Sequence, residues 1–200
     1  MKLPRIKKHA LTLSLLVAAV LVVAPTAFAN QPGNCPPLGV VNVGPPPPYD
    51  FVANGRPDET NLCWAETNLN FVINYDYCHY WRDYWDFNNG GVLSQTMTVP
   101  SNMHITSVRL LYIMDFIDPH SDGNANAIRV DIYDQTNGNT WIGGDFWSGY
   151  NGTLYCTERS EYGFSNVDLA GHTLQLSFSA RKGNYPDVHI TVKMVSLLAN

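Results

Sequence analysis

Lysine nearly disappears once the first 29 residues are set aside: only Lys182 and Lys193 remain. Eight basic residues then face 17 acidic ones, a net charge of −9. A surface of that sign repels phosphate backbones, so nucleic acid is not an expected partner. Long apolar runs are also missing. Ala10 to Val23 is apolar except for Thr12 and Ser14, but it is 14 residues long, short of the roughly 20 that cross a bilayer. No later stretch comes closer, so no membrane span is expected in the processed chain. The four cysteines show no CxxC spacing, and zinc or haem signatures are absent. There is no Gly-x-Ser-x-Gly, no His-Glu-x-x-His and no glycine loop for phosphate. His79, His104, His120, His172 and His189 have no metal-ligand spacing. These absences weigh against catalysis.

What the N-terminus does have is the layout of a secretory signal. Lys2, Arg5, Lys7 and Lys8 form a positive n-region, the apolar run follows, and Ala27-Phe28-Ala29 gives a small-x-small cleavage pattern. Cleavage there makes Asn30 the new N-terminus and leaves 171 of 200 residues, a length that suits one domain with a core. The expected location is the secreted, periplasmic or cell-surface space. In that setting Cys35, Cys63, Cys78 and Cys156 are expected as disulfides. Of the three possible connectivities we favour Cys63–Cys78, a local loop, with Cys35–Cys156 tying an arm to the body. Residues 30–60 are rich in Pro, Gly and Asn, and Pro45 to Pro48 read as a short polyproline II rod. That segment is expected to be an N-terminal arm, with the β domain at 61–200.

From Leu62 onward apolar residues recur with period two, the mark of half-buried strands. Leu69 to Tyr77, Leu93 to Val99, Ile128 to Ile132, Leu174 to Ala180 and Val188 to Met194 all follow it. Ile105 to Ile117 is nearly continuous and reads as a central strand covered on both faces. Asn88-Asn89-Gly90-Gly91, Asp122-Gly123-Asn124, Asn137-Gly138-Asn139 and Lys182-Gly183-Asn184 supply turns. The expected fold is all-β, a single jelly-roll-like β-sandwich. At most one short helix is expected, where aromatics at 77, 80, 81, 84 and 85 fall at helical spacing.

Aromatics are abundant. From Phe71 to Phe87, 8 of 17 residues are aromatic, with Arg82, Asp83 and Asp86 among them. Trp141, Phe146, Trp147 and Tyr150 make a second cluster, read as loop because of Gly143-Gly144 and Gly149. Flat rings stack on the C–H faces of sugars while neighbouring charged groups and amides bind hydroxyls. We therefore take Trp81, Tyr84, Trp85, Trp141, Trp147 and Tyr150 as candidate ligand residues. The bland alternative is that these rings fill the core.

Asp118, Asp122 and Asn124 place oxygens at a loop glycine, Gly123, and could wrap a hard cation; Ca²⁺ is the one cofactor the sequence suggests. His120 stands where an oxygen ligand belongs, and Arg129 where the closing Glu should be, so a plain hairpin loop competes. Glu158 and Glu161, three apart, would point to opposite faces of a strand. Asn151-Gly152-Thr153 is a glycosylation sequon, relevant only in a eukaryotic host. The stretch from Val99 to Ile132, with Ile105 to Val108 and Ile128 to Ile132, resembles the strand pattern of secreted jelly-rolls such as carbohydrate-binding modules and the P domains of secreted proteases. That resemblance implies a fold, since it includes no signature motif. The leading functional reading is a non-catalytic module for glycan or another surface polymer. A structural or adhesive envelope protein making protein–protein contacts comes second, and a small secreted hydrolase third.

Overall fold

A computed structural model describes residues 39–40, 49–53, 55, 63–73, 83–119, 126–183 and 188–200. The strands in these are β1 (Gly39–Val40), β2 (Tyr49–Asp50), β3 (Ala65–Ile73), β4 (Asp83–Thr98), β5 (Ser107–Ile117), β6 (Ala127–Asp134), β7 (Thr140–Ser148), β8 (Leu154–Phe164), β9 (Thr173–Arg181) and β10 (His189–Ala199). One 3-10 turn, Gly149–Asn151, is the only helical element among the described residues. The signal segment, Cys35, Pro45 to Pro48, Cys78 and Trp81 lie outside the described residues.

The strands are antiparallel and neighbour one another in the order β1-β2-β10-β5-β8-β7-β6-β9-β4-β3. A further pairing of β10 with β4, through Thr191↔Asp86 and Val192↔Trp85, closes the arrangement on itself. The protein is thus all-β, with strands in a closed barrel-like or sandwich arrangement. Two joints in the closure are thin: β7 meets β8 only at Gly143↔Gly163, and β4 meets β10 at two positions. Glycine is required at the first joint, because a Cβ on Gly143 would stand 2.5 Å from the Gly163 Cα. The long β4 serves both sides of the closure. Its first part pairs with β10 and its second with β9, and residues 88–91 swell out between them where Leu69↔Phe87 gives way to Thr67↔Val92. Asn88 to Gly91, expected as a turn, is therefore a bulge that bends one strand.

Alternation explains the core. β9 buries Leu174, Leu176, Phe178 and Ala180, β6 buries Ile128, Val130 and Ile132, and β5 buries Val108, Leu110, Tyr112, Met114 and Phe116. Tyr112 of β5 meets Phe178 of β9 edge-on at 5.4 Å, a contact across the interior between strands that are not neighbours. Each ring of this size removed from water contributes about 1.5–3 kcal/mol. In β5, Tyr112 to Phe116 are all buried, as the continuous apolar run predicts. Lys193 sits where the β10 register shifts between Val192 and Met194, is 1% exposed, and pairs through Nζ with Asp115 Oδ2 at 2.7 Å.

The body begins earlier than residue 61. Phe51 and Val52 belong to the core cluster, and the Asp50 carboxylate accepts from the Val52 and Leu197 N–H groups at 3.0 Å. The Gln95 amide holds Ala53 from both directions, at 2.8 Å each. Part of the expected arm is thus built into the fold. Asp83 to Trp85, read as helical from aromatic spacing, are strand. The described part of that segment pairs with β3 instead, Trp85 opposite Phe71 and Tyr84 opposite Val72.

Candidate functional site

The candidate site is on β7, a strand whose glycines read as loop in the sequence. β6 and β7 form a hairpin around Gln135 to Asn139. Gly138 (φ 65°) and Asn139 (φ 61°) take the left-handed conformation that Gly and Asn adopt at least cost. The Asn137 N–H donates to Asp134 Oδ1 at 3.2 Å and holds the turn. The register then shifts between Ile132 and Tyr133, so Tyr133 faces Trp141 whereas Ile132 faces Gly143. This bulge decides which rings share a face. Trp141, Gly144 and Phe146 stand opposite Tyr133, Asp131 and Arg129 in the outward row. Asp145 and Trp147 stand opposite the buried Val130 and Ile128 in the inward row.

The outward row has the character of a platform. Trp141 is 54% exposed and Phe146 58%. Their partners Tyr133 and Arg129 are four residues apart on β6, so the two rings start about 13 Å apart at about 3.4 Å per residue. Between them Gly144 leaves a floor without a side chain; a Cβ there would lie 2.0 Å from the Val130 carbonyl oxygen. Arg129, Val130, Asp131, Trp141, Gly144, Asp145 and Phe146 enclose an open groove of about 310 Å³. Asp131 organises it: its Oδ1 accepts from Trp141 Nε1 and from Arg129 Nε, both at 2.9 Å. That bond to Asp131 also raises the Arg129 pKa above its usual range. The indole is therefore fixed at one edge while more than half of it meets solvent, and a ring immobilised before binding loses less entropy on binding.

The inward row forms a separate polar cluster near the β7–β8 joint. Arg159 of β8 donates Nε to Asp145 Oδ2 at 2.8 Å and Nη2 to Asp145 Oδ1 at 3.0 Å, a two-pronged clamp. The Tyr112 hydroxyl donates to Asp145 Oδ2 at 2.6 Å. Burial and this bond push the Tyr112 phenol far above its usual range. The Arg159 guanidinium lies 4.9 Å from the Trp147 ring centre and reaches Glu161 Oε1 at 3.4 Å. Burial, and then the Asp145 carboxylate, raise the Glu161 pKa, with Arg159 opposing. Glu158 stands opposite Ile113 and Glu161 opposite Leu110, so they are on opposite faces of β8, as their spacing predicts.

The six candidate rings therefore part company. Trp141 and Tyr150 are exposed, the latter 66% on the 3-10 turn after β7. Trp147 is half-buried against the core, its Nε1 donating to the Gly152 carbonyl at 2.8 Å, and it does not share Trp141's face. Trp85 is 0% exposed, packed on Trp64 at 5.1 Å and Phe71 at 6.1 Å, with Nε1 donating to Glu66 Oε1 at 2.8 Å. Having no exposed face, it is a core residue and not a ligand residue. Tyr84 is half-buried, and Trp81 lies outside the described residues. Phe146, Asp131 and Arg129 were missed. Phe146 lay inside the recognised cluster, but only the bulge gives it Trp141's face.

Asp118, the one described candidate ligand of the expected cation loop, accepts from Asn126 Nδ2 at 2.8 Å; Asp122 and Asn124 lie outside the described residues. Among the described residues no group of three His, Cys, Asp or Glu is placed to hold a metal ion. Cys63 and Cys156 carry no free thiol. Their expected partners, Cys78 and Cys35, are outside the described residues.

No protein-family model and no curated protein sequence matches the chain. Among solved structures, TmCBM61 in complex with β-1,4-galactotriose is similar at 14% identity and a TM-score of 0.48, over 76% of this chain and 99% of that one. A CBM4 structure is similar at 13% identity and 0.43, over 72% and 92%. CsCBM6-3 from Clostridium stercorarium in complex with cellobiose is similar at 12% identity and 0.38, over 68% and 86%.

Proposed function

We propose that this protein is a non-catalytic glycan-binding module whose ligand lies across the outward face of β6 and β7. The observation that carries the reading is the Trp141–Asp131–Arg129 arrangement. A large ring is pinned by its N–H to a carboxylate, exposed over most of its surface, and followed across a glycine floor by a second exposed ring, Phe146. The exposed part of a ring adds nothing to folding, whereas it offers a flat face for stacking on the C–H face of a sugar. Asp131 and Arg129 supply the acceptor and donors that hydroxyls require. Tyr150 extends the aromatic surface beyond the end of β7.

The setting we propose is secreted, periplasmic or cell-surface, after cleavage behind Ala29, with Cys63–Cys78 and Cys35–Cys156 as disulfides. Within the closed arrangement of strands we read a flattened jelly-roll sandwich. The fold's two thin joints support that reading, since they separate β3-β4-β9-β6-β7 from β1-β2-β10-β5-β8. Envelope protein contacts are the second reading, favoured by a different surface: Tyr162 and Phe164 on β8, exposed and stacked at 6.2 Å. The test is a screen of the mature protein on a glycan array, followed by Phe146→Ala on whichever polysaccharide binds. The expected result is retention of at least one polysaccharide and several-fold weaker retention by the variant. A wild-type protein that retains no glycan overturns the reading and leaves the envelope alternative.

A further inference from the structure

The first groove has a neighbour. Ala127, Arg129, Phe146, Ser179, Ala180 and Arg181 line a second open groove of about 310 Å³, and it shares Arg129 and Phe146 with the first. Strand register joins the two. Across the outward face Gly144 of β7 stands opposite Asp131 of β6, and Asp131 opposite Ser177 of β9. In the next row Phe146 stands opposite Arg129, and Arg129 opposite Ser179. The face therefore continues from β7 over β6 onto β9, where both positions carry a partly exposed serine. Charge is absent from this part of it. Beyond its first 29 residues the chain has 17 acidic and eight basic residues. Yet the outward positions of β9 from Thr173 to Ser179 hold only Thr, Gln and Ser, and their β4 partners are Thr98, Thr96, Ser94 and Val92. The charges beside them on β6 offset each other, since Arg129 Nε lies 2.7 Å from Asp131 Oδ2. Arg181, at the end of the second groove, is not a free charge either.

Resting on the glycan-binding reading, we propose that the second groove and the serines of β9 form a further subsite for an uncharged sugar. The ligand is then an extended neutral polysaccharide that runs obliquely across the strands from β7 to β9. One sugar stacks at Trp141 in the first groove, and the chain continues past Phe146. A later sugar rests on β9 with its hydroxyls on Ser177 and Ser179. A serine hydroxyl both donates and accepts, as a sugar hydroxyl does, so the two match with no buried charge to desolvate. Small side chains at these positions leave room for the sugar ring, as Gly144 does in the first groove. The crossing from β7 to β9 covers two strand spacings, about 10 Å, so a short oligosaccharide held at Trp141 does not reach the serines. Phe146, as the shared wall, is touched from both sides.

The experiment is isothermal titration of the full mature protein with cello-, xylo-, manno- and β-1,4-galacto-oligosaccharides, each series running from disaccharide to hexasaccharide. In at least one series the wild type should bind the hexasaccharide about tenfold more tightly than the disaccharide. Ser179→Leu, which fills the second groove and removes the hydroxyl, should abolish most of that gain and leave disaccharide affinity unchanged. Ser179→Thr, which keeps the hydroxyl, should keep most of the gain. A gain that survives Ser179→Leu, a loss equal at every length, or affinity that does not grow with length overturns the β9 subsite but leaves the platform standing. Four series that all fail to bind overturn it too, and an array that retains no glycan takes the platform with it. A melting curve of Ser179→Leu that matches wild type shows that the loss is one of contact. Should that variant melt early, Ser177→Leu in the adjacent row gives the same reading.

Discussion

Two stretches of this chain are almost equally rich in aromatic residues and put them to opposite uses. Between Phe71 and Phe87 three of the four described rings go inward: Trp85 and Phe87 are 0% exposed and Phe71 packs against the core, while Tyr84 is half-buried on the other face. Between Trp141 and Tyr150 most go outward, with Trp141, Phe146 and Tyr150 all more than half exposed and only Trp147 turned against the core. Composition does not separate the two. Strand context does. The first segment lies on the end of β3 and the first part of β4, which is flanked by β3 and β10, so its inward positions are held within the body of the sheet. The second follows a hairpin, loses its parity at a glycine bulge, and meets β8 at a single point. A strand so loosely joined on one side leaves its outward rings uncovered.

The largest test of that contrast is Trp85→Ala. Truncating a buried tryptophan costs about 3–5 kcal/mol, and here it also removes the Nε1 bond to Glu66, so chemical denaturation should show much or all of the stability gone. A loss below about 1 kcal/mol would mean that the ring is not core. Trp147 lies between the extremes. It is half-buried and covered by Arg159, so Trp147→Ala should cost about 1–3 kcal/mol by the same measurement, without abolishing the fold.

A smaller effect should appear in pH. The folded chain holds the Glu161 proton more tightly than the unfolded chain, because burial and Asp145 raise its pKa above the ordinary value of 4.5. Its ionisation therefore costs stability as pH rises from that value through the raised one. Glu161→Gln should melt like wild type near about pH 4 and at a higher temperature at neutral pH. A constant difference across that range would show that Glu161 ionises as it does in the unfolded chain.

Much of the fold was legible because period two is a direct consequence of the pleat. β6 and β9 bury the alternate residues that their sequences announce and β5 the continuous run, whereas β10, expected to alternate, buries Ile190 to Val195 without a break. β7 and β8 were not legible, and β7 carries the candidate rings. β7 has two glycines and a register shift, so Trp141 and Trp147 share sequence parity yet face opposite ways. β8 inverts the usual pattern: Tyr162 and Phe164 point out while Arg159 and Glu161 point toward the joint with β7. A polar inward row is stable there because Asp145 meets Arg159 from β7, 14 positions away, and is itself held by Tyr112 of β5, 33 positions from it. Phe51 and Val52 were hidden for a related reason. Two core residues beside a proline-rich tract give too short a pattern to read.

If Trp141 is exposed for a ligand and not for the fold, one pair of readings on Trp141→Ala will show it. By denaturant titration the variant should match wild type within about 0.5 kcal/mol, as exposed positions do. By isothermal titration with the polysaccharide retained on the array, its affinity should fall about tenfold, the loss of about 1.4 kcal/mol of stacking. Unchanged affinity, or a stability loss as large as that of Trp85→Ala, would contradict the claim.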